Sequence, residues 1–152
     1  MGIHRPNVYG DTLQWMFSYS SEDNTQTLPP EMNTPIQLLR TTGLANGENK
    51  NMPIDSNGVI TAKVKGKFML QYHCSFSGGV NKDYTMYWKI GSSLLSTSST
   101  KWTMKGGDVW AISNQTIMEI KEGDTIDLWI ENNTDGANVT LSNYNLTIFK
   151  IW

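Results

Sequence analysis

The chain has 152 residues, of which 38% are hydrophobic and only 17% charged, with a formal net charge of −2 and a pI near 5.6. That length is one domain with room for a sizeable core. The charge excludes the basic footprint of a nucleic-acid-binding protein, and no apolar run approaches the roughly 20 residues of a membrane helix. The polar remainder is Asn, Thr, Ser and Gly rather than Glu, Lys and Arg, a balance that favours strands and turns over helices.

The single cysteine, Cys74, excludes an internal disulfide framework and fits a chain made in a reducing cytosol. The opening "MGIHRPNVYGDTLQWMF" lacks the charged start, apolar stretch and small-residue cleavage site of a signal peptide. It also misses the myristoylation pattern, because Pro6 occupies the required Ser/Thr position. Four sequons begin at Asn114, Asn132, Asn138 and Asn145, and in so Asn- and Thr-rich a chain they are read as chance.

Residues 1–32 differ from the rest. "RPNVYG" and "SSEDNTQTLPPEMN" are turn or linker segments around "DTLQWMFSY". There Leu13, Trp15, Phe17 and Tyr19 alternate with Thr12, Gln14, Met16 and Ser18, giving a strand-like segment with an aromatic face. Two readings follow: an extra strand on the domain's own sheet, or an arm that docks on a neighbouring subunit or host surface. The Pro29–Pro30 break marks the boundary between an extended arm, 1–32, and a body, 33–152.

The body repeats short runs and turns. "TPIQLLR" precedes the Gly- and Asn-rich loop "TTGLANGENKNMP", and "GVITAKV" follows it. In "KFMLQYHCSFS", Phe68, Leu70, Tyr72, Cys74 and Phe76 share one face, opposite Met69, Gln71, His73 and Ser75. "YTMYWKIG" puts Tyr84, Met86, Trp88 and Ile90 on one face. "SSLLSTSST" reads as an exposed loop, and "KWTMKGGDVWAIS" as one or two further runs. "MEIKEGDTIDLWIEN" reads as two alternating strands around Glu122-Gly123-Asp124, with Ile126, Leu128 and Ile130 toward the core. Trp129 then falls on the face expected to be wet, between Asp127 and Glu131. The closing "VTLSNYNLTIFKIW" has Tyr144, Leu146 and Ile148 on one face and Phe149 and Ile151 on the other. No segment carries a helical stripe over three turns, so the pattern predicts an all-β sandwich or barrel. A strand apolar on both faces needs a second partner, expected to be another copy of the chain; cover by the arm or a long loop is the alternative.

Two stretches resemble the tumour-necrosis-factor-like family, which includes the complement globular heads. "IDSNGVITAKVKGKFMLQYHCSFSGG" is similar to that family's strand, turn and Gly-x-aromatic-x-hydrophobic strand, here Gly66 to Leu70. "IMEIKEGDTIDLWIENNT" is similar to its hydrophobic-x-x-Gly-Asp corner, here Ile120 to Asp124. "YNLTIFKIW" takes the place of its final strand, near the threefold axis. The resemblance spans about residues 34–152. It implies an antiparallel jelly-roll β-sandwich, a Gly-Asp turn that links two sheets, and a homotrimer. Versions that are Asn- and Thr-rich, without signal peptide or disulfides, resemble domains of tailed-bacteriophage structural proteins, including capsid decoration proteins and fibre or spike tips.

Chemistry-bearing constellations are sparse. His4 and His73 are far apart, and a lone His on a polar strand face is usually a surface residue. "NNTDGAN" lacks the spaced carboxylates of a calcium loop. Cys74 lies on an apolar face and reads as a small buried hydrophobe. Glu119, Asp127 and Glu131 read as a solvated face. Trp88 and Trp102 read as core, and exposed Trp or Tyr elsewhere would suit either subunit contacts or sugar faces. The expectation is a protein without enzyme activity, metal or cofactor, and with no nucleic-acid or membrane partner. It would be a virion structural protein made in the host cytoplasm, a trimeric capsid decoration protein attached through its arm and trimer base. The expected trimer interface is Trp129, Phe149, Ile151 and Trp152, and the expected arm attachment is Leu13, Trp15, Phe17 and Tyr19. A receptor- or glycan-binding fibre tip is the alternative, its site on loops such as "SSLLSTSST" or "TTGLANGEN".

Overall fold

The computed structural model describes residues 16–21, 26–28, 31–38, 49–50, 52–106 and 109–151. Among these the chain forms β1 (Met16–Ser21), β2 (Gln26–Leu28), β3 (Ile36–Gln37), β4 (Asn49–Lys50), β5 (Ile60–Thr61), β6 (Gly66–Gly78) and β7 (Lys82–Ile90). It continues as β8 (Ser93–Leu94), β9 (Thr100–Met104), β10 (Trp110–Ile120), β11 (Thr125–Asn132) and β12 (Val139–Lys150). The first sheet runs β10-β6-β12-β1-β4, with β2 also on β12; the second runs β3-β11-β7-β8, with β5 on β11 and β9 on β7. All strand pairs in both sheets are antiparallel. The chain changes sheet at eight connections: β2 to β3, β3 to β4, β4 to β5, β5 to β6, β6 to β7, β9 to β10, β10 to β11 and β11 to β12. The result is the antiparallel jelly-roll sandwich that the resemblance implied.

The turn at Glu122-Gly123-Asp124 is a corner between sheets rather than a plain hairpin. Gly123 has φ +86°, a left-handed conformation that suits glycine because a Cβ is strained there. Its N–H donates to the Ala62 carbonyl at 2.8 Å, while the Lys121 N–H donates to Asp124 Oδ2 at 2.8 Å. The Gly supplies the bend and the Asp closes it, so two residues send β10 and β11 into different layers.

Period-two alternation places the core between the layers. Phe68, Leu70, Tyr72, Cys74 and Phe76 of β6 are buried, as are Tyr84, Met86 and Trp88 of β7. Leu146 and Ile148 of β12 face inward too, as their spacing predicted. Tyr72 packs against Trp88 with ring centroids 5.7 Å apart, and Trp102 stacks between Phe76 and Tyr84 at 5.6 Å from each. The two layers are thus joined by aromatics, each contributing about 1.5–3 kcal/mol through burial. The Tyr72 hydroxyl donates to Thr100 Oγ1 at 2.8 Å, which satisfies the polar end of a buried ring. Burial pushes the Cys74 thiol well above its ordinary range, so it is the inert hydrophobe its strand position indicated.

Two expectations are refined. "SSLLSTSST" is not wholly a loop: it holds β8 and a 3-10 turn at Ser96–Ser98, with Ser98 buried. Of the two readings of residues 1–32, the described part follows the first. β1 pairs with β12 over six positions, Met16 opposite Phe149 through Ser21 opposite Tyr144. Within residues 1–32, β1 and β2 are thus strands of the first sheet, both paired with β12. Phe17 and Tyr19 stand opposite the buried Ile148 and Leu146 in this register; Leu13 and Trp15 lie outside the described residues.

Candidate functional site

The outer face of the first sheet is built from the outward residues of β10, β6 and β12. Register aligns them in rows: Ile117, Met69 and Phe149; then Gln115, Gln71 and Thr147; then Ser113, His73 and Asn145. A further row holds Ala111, Ser75 and Asn143. Charge is confined to one end, where Glu119 stands opposite Lys67 and the Ile151 N–H donates to the Lys67 carbonyl at 2.7 Å. Ile117 is 53% exposed, which is unusual for a large aliphatic side chain on a sheet face. Met69, Phe149 and Ile151 are half-buried. The face thus presents an apolar row followed by uncharged amides, hydroxyls and one imidazole. Its pairing continues onto β1 through Met16, Ser18 and Ser20, again without charge.

Trp129 is elsewhere. It lies on β11 of the second sheet, opposite Tyr87 and Gln37, on that sheet's outer face. The two outer faces lie on opposite sides of the sandwich, so the structure does not bring Trp129 together with Phe149 and Ile151. Trp152 lies outside the described residues. Within one chain, Phe149 and Ile151 share a surface, and Trp129 lies on another.

The second sheet also explains why a tryptophan stands on the side expected to be wet. Lys89 Nζ sits 4.2 Å from the Trp129 ring centroid, a cation–π contact of about 0.5–1 kcal/mol. The indole N–H donates to Asp127 Oδ2 at 2.7 Å, and the Tyr87 hydroxyl donates to Glu131 Oε2 at 2.6 Å. Asp127 is only 6% exposed and Glu131 9%, so these two are not the solvated carboxylates their alternation suggested; Glu119 is exposed as expected. The aromatic and its cation roof a small polar cluster. Such a cluster fixes side-chain geometry on a face that would otherwise be mobile.

Burial raises the Asp127 carboxyl above its ordinary value; the Trp129 hydrogen bond and Lys89 oppose that rise, and nearby Asp55 adds to it. Because the folded state prefers the protonated acid, the ionised carboxylate costs stability at neutral pH, and that cost disappears as pH falls through the raised value. Asp127→Asn keeps an oxygen for the Trp129 N–H. It is expected to be as stable as the native protein or more stable by about 1 kcal/mol at pH 7, with the difference shrinking toward pH 4. Urea unfolding across that range measures it. A variant destabilised at pH 7 would show that the charge, rather than the hydrogen bond alone, is used.

Among the described residues, no three His, Cys, Asp or Glu side chains converge as metal ligands. His73 stands on the outer face of the first sheet between Ser113 and Asn145, apart from any carboxylate in its row.

No protein-family model matches the chain. No curated protein matches it by sequence either. Solved structures do match in shape. Eiger TNF from S. frugiperda is similar with a TM-score of 0.58 at 10% identity, covering 90% of this chain and 93% of that one. The globular domain of zebrafish complement 1qA gives 0.55 at 18% identity, covering 90% and 97%. Murine APRIL gives 0.58 at 14% identity, covering 84% and 98%. Identities this low carry the fold alone, and the fold is a jelly-roll β-sandwich of the tumour-necrosis-factor and complement globular-head type.

Proposed function

We propose that the chain is a non-catalytic structural protein that works as a homotrimer, assembled through the outer face of the first sheet. The observation that carries this reading is the uncharged character of that face. Around a threefold axis each residue approaches its own copies, so a charged group there would meet like charges, whereas Ile117, Met69, Phe149 and the amide rows meet no such penalty. The resemblance to trimerising jelly rolls points the same way.

The particle on which such a trimer acts is a virus. A polar, Asn- and Thr-rich chain with one buried cysteine suits a virion protein made in a reducing cytoplasm, and the chain's resemblance to domains of tailed-bacteriophage structural proteins points to the same setting. A trimer seated on a symmetric shell contacts several capsid subunits at once, and multivalent attachment strengthens binding without new chemistry. The N-terminal segment and the trimer base are the attachment surfaces of this reading. A receptor- or glycan-binding fibre tip is the second reading, supported by a polar cleft on the second sheet at Asp83, Lys101 and Asn133.

Light scattering tests the assembly: the expected mass is three times 17.1 kDa, about 51 kDa. A stable monomer at micromolar concentration overturns it. Co-sedimentation with particles lacking this protein, set beside binding to host cells, tests the role. Binding to particles alone supports decoration, and binding to cells alone supports the tip.

A further inference from the structure

A cleft of about 470 Å³ opens on the second sheet, lined by Asp83, Tyr84, Lys101, Trp102, Thr103 and Asn133. Its walls come from three elements. β7 and β9 pair with Asp83 opposite Thr103 and Tyr84 opposite Trp102, and the turn after β11 adds Asn133. That turn is tightly held. The Asn133 N–H donates to the Asp83 carbonyl at 2.8 Å, and the Asp83 N–H donates to Thr134 Oγ1 at 2.8 Å. The fully buried Asn132 donates to the Ala137 carbonyl at 2.9 Å and accepts the Thr134 N–H at 2.9 Å. Lys82 and Asp135 form an ion pair alongside.

The internal hydrogen bonds set what the cleft offers. The Thr103 hydroxyl donates to Asp83 Oδ1 at 2.6 Å, which fixes that carboxylate; Oδ2 has no partner among the described residues. The Thr85 hydroxyl donates to Asn133 Oδ1 at 2.6 Å, so the Asn133 amide nitrogen is the end left over, also without a partner among the described residues. Lys101 adds an ammonium on an exposed position. The cleft therefore holds a fixed acceptor, a fixed donor and a cationic donor above two aromatic residues, with one carboxylate balancing one ammonium.

We propose that this cleft binds a neutral saccharide through a pair of vicinal hydroxyls. A hydroxyl both donates and accepts, so two adjacent ones match the Asp83 acceptor and the Asn133 and Lys101 donors together. A volume of about 470 Å³ lies in the range of small-molecule sites and accommodates one or two sugar rings. Tyr84 is fully buried and Trp102, half-buried, stacks on Phe76 and Tyr84, so the sugar meets polar groups rather than a stacking platform. Affinity per site is accordingly weak, on the order of millimolar. The site does not depend on the trimer interface, which lies on the other sheet.

Saturation-transfer NMR on the full chain tests this, with glucose, galactose, mannose and N-acetylglucosamine as probes and free alanine as a small zwitterion. The expected result is transfer to at least one sugar, with amide shifts confined to the neighbourhood of Asp83, Lys101, Thr103 and Asn133. Asn133→Asp keeps the acceptor for Thr85 and removes the donor; it is expected to weaken binding about tenfold, equivalent to about 1.4 kcal/mol. Should that variant fail to fold, Lys101→Gln, at an exposed position, is expected to weaken binding severalfold. Absence of sugar binding, shifts centred elsewhere, alanine bound in preference to every sugar, or unchanged affinity in a folded variant would each overturn the proposal.

Discussion

Phe149→Asp is expected to turn the trimer into a folded monomer. Phe149 points outward from β12 in the row that holds Met69 and Ile117, and it is only half-buried within one chain. A carboxylate there leaves the sandwich core untouched. In an assembled threefold contact the same carboxylate would be desolvated beside its own copies, costing on the order of 4 kcal/mol, or about a thousandfold in association. Light scattering should then report 17.1 kDa with an unchanged β-sheet circular dichroism spectrum. The adjacent residue gives the contrast: Ile148 is fully buried, so Ile148→Asp is expected to abolish folding rather than assembly. A Phe149→Asp variant that stays at about three times the chain mass would remove the first sheet's outer face as the interface.

Trp88→Ala is expected to be among the most destabilising single changes in the core. The side chain is fully buried in the second sheet and packs across the sandwich on Tyr72, 5.7 Å between centroids. Truncation leaves a large cavity between two sheets that cannot collapse without breaking register, at a cost of about 3–5 kcal/mol. For a domain of this size that lowers the melting temperature by about 10 °C. Trp88→Phe is expected to cost less than half as much. It keeps most of the ring, and it removes an indole N–H that is buried without a hydrogen-bond partner among the described residues, relieving a penalty of about 1–3 kcal/mol. Thermal and urea unfolding of both variants measure this. A Trp88→Ala variant within about 1 kcal/mol of the native protein would mean that the two sheets repack freely around the site.

The sequence by itself determined the strands and their faces where alternation is strict. Phe68 to Phe76, Tyr84 to Trp88 and Ile126 to Ile130 fall on buried faces as their period of two required. Gly123 and Asp124 were legible as a turn because a left-handed glycine and a short acidic side chain serve that geometry. Alternation states which way a side chain points, but it does not state what lies above it. Trp129 points away from the core just as its position says, yet only tertiary structure brings Lys89 across from β7 to roof it and Tyr87 to close on Glu131. The same limit hid the burial of Asp127, because its place on the outward face of β11 gives no sign that Trp129 bonds it or that Lys89 of β7 stands opposite it. β1 was legible as a strand but not as a neighbour of β12, since that pairing joins residues more than a hundred positions apart. The cleft is the extreme case: Asp83, Lys101 and Asn133 come from three separate segments with no shared motif. Local pattern decides strand and face; sheet order, which here crosses between layers at eight connections, decides which faces meet.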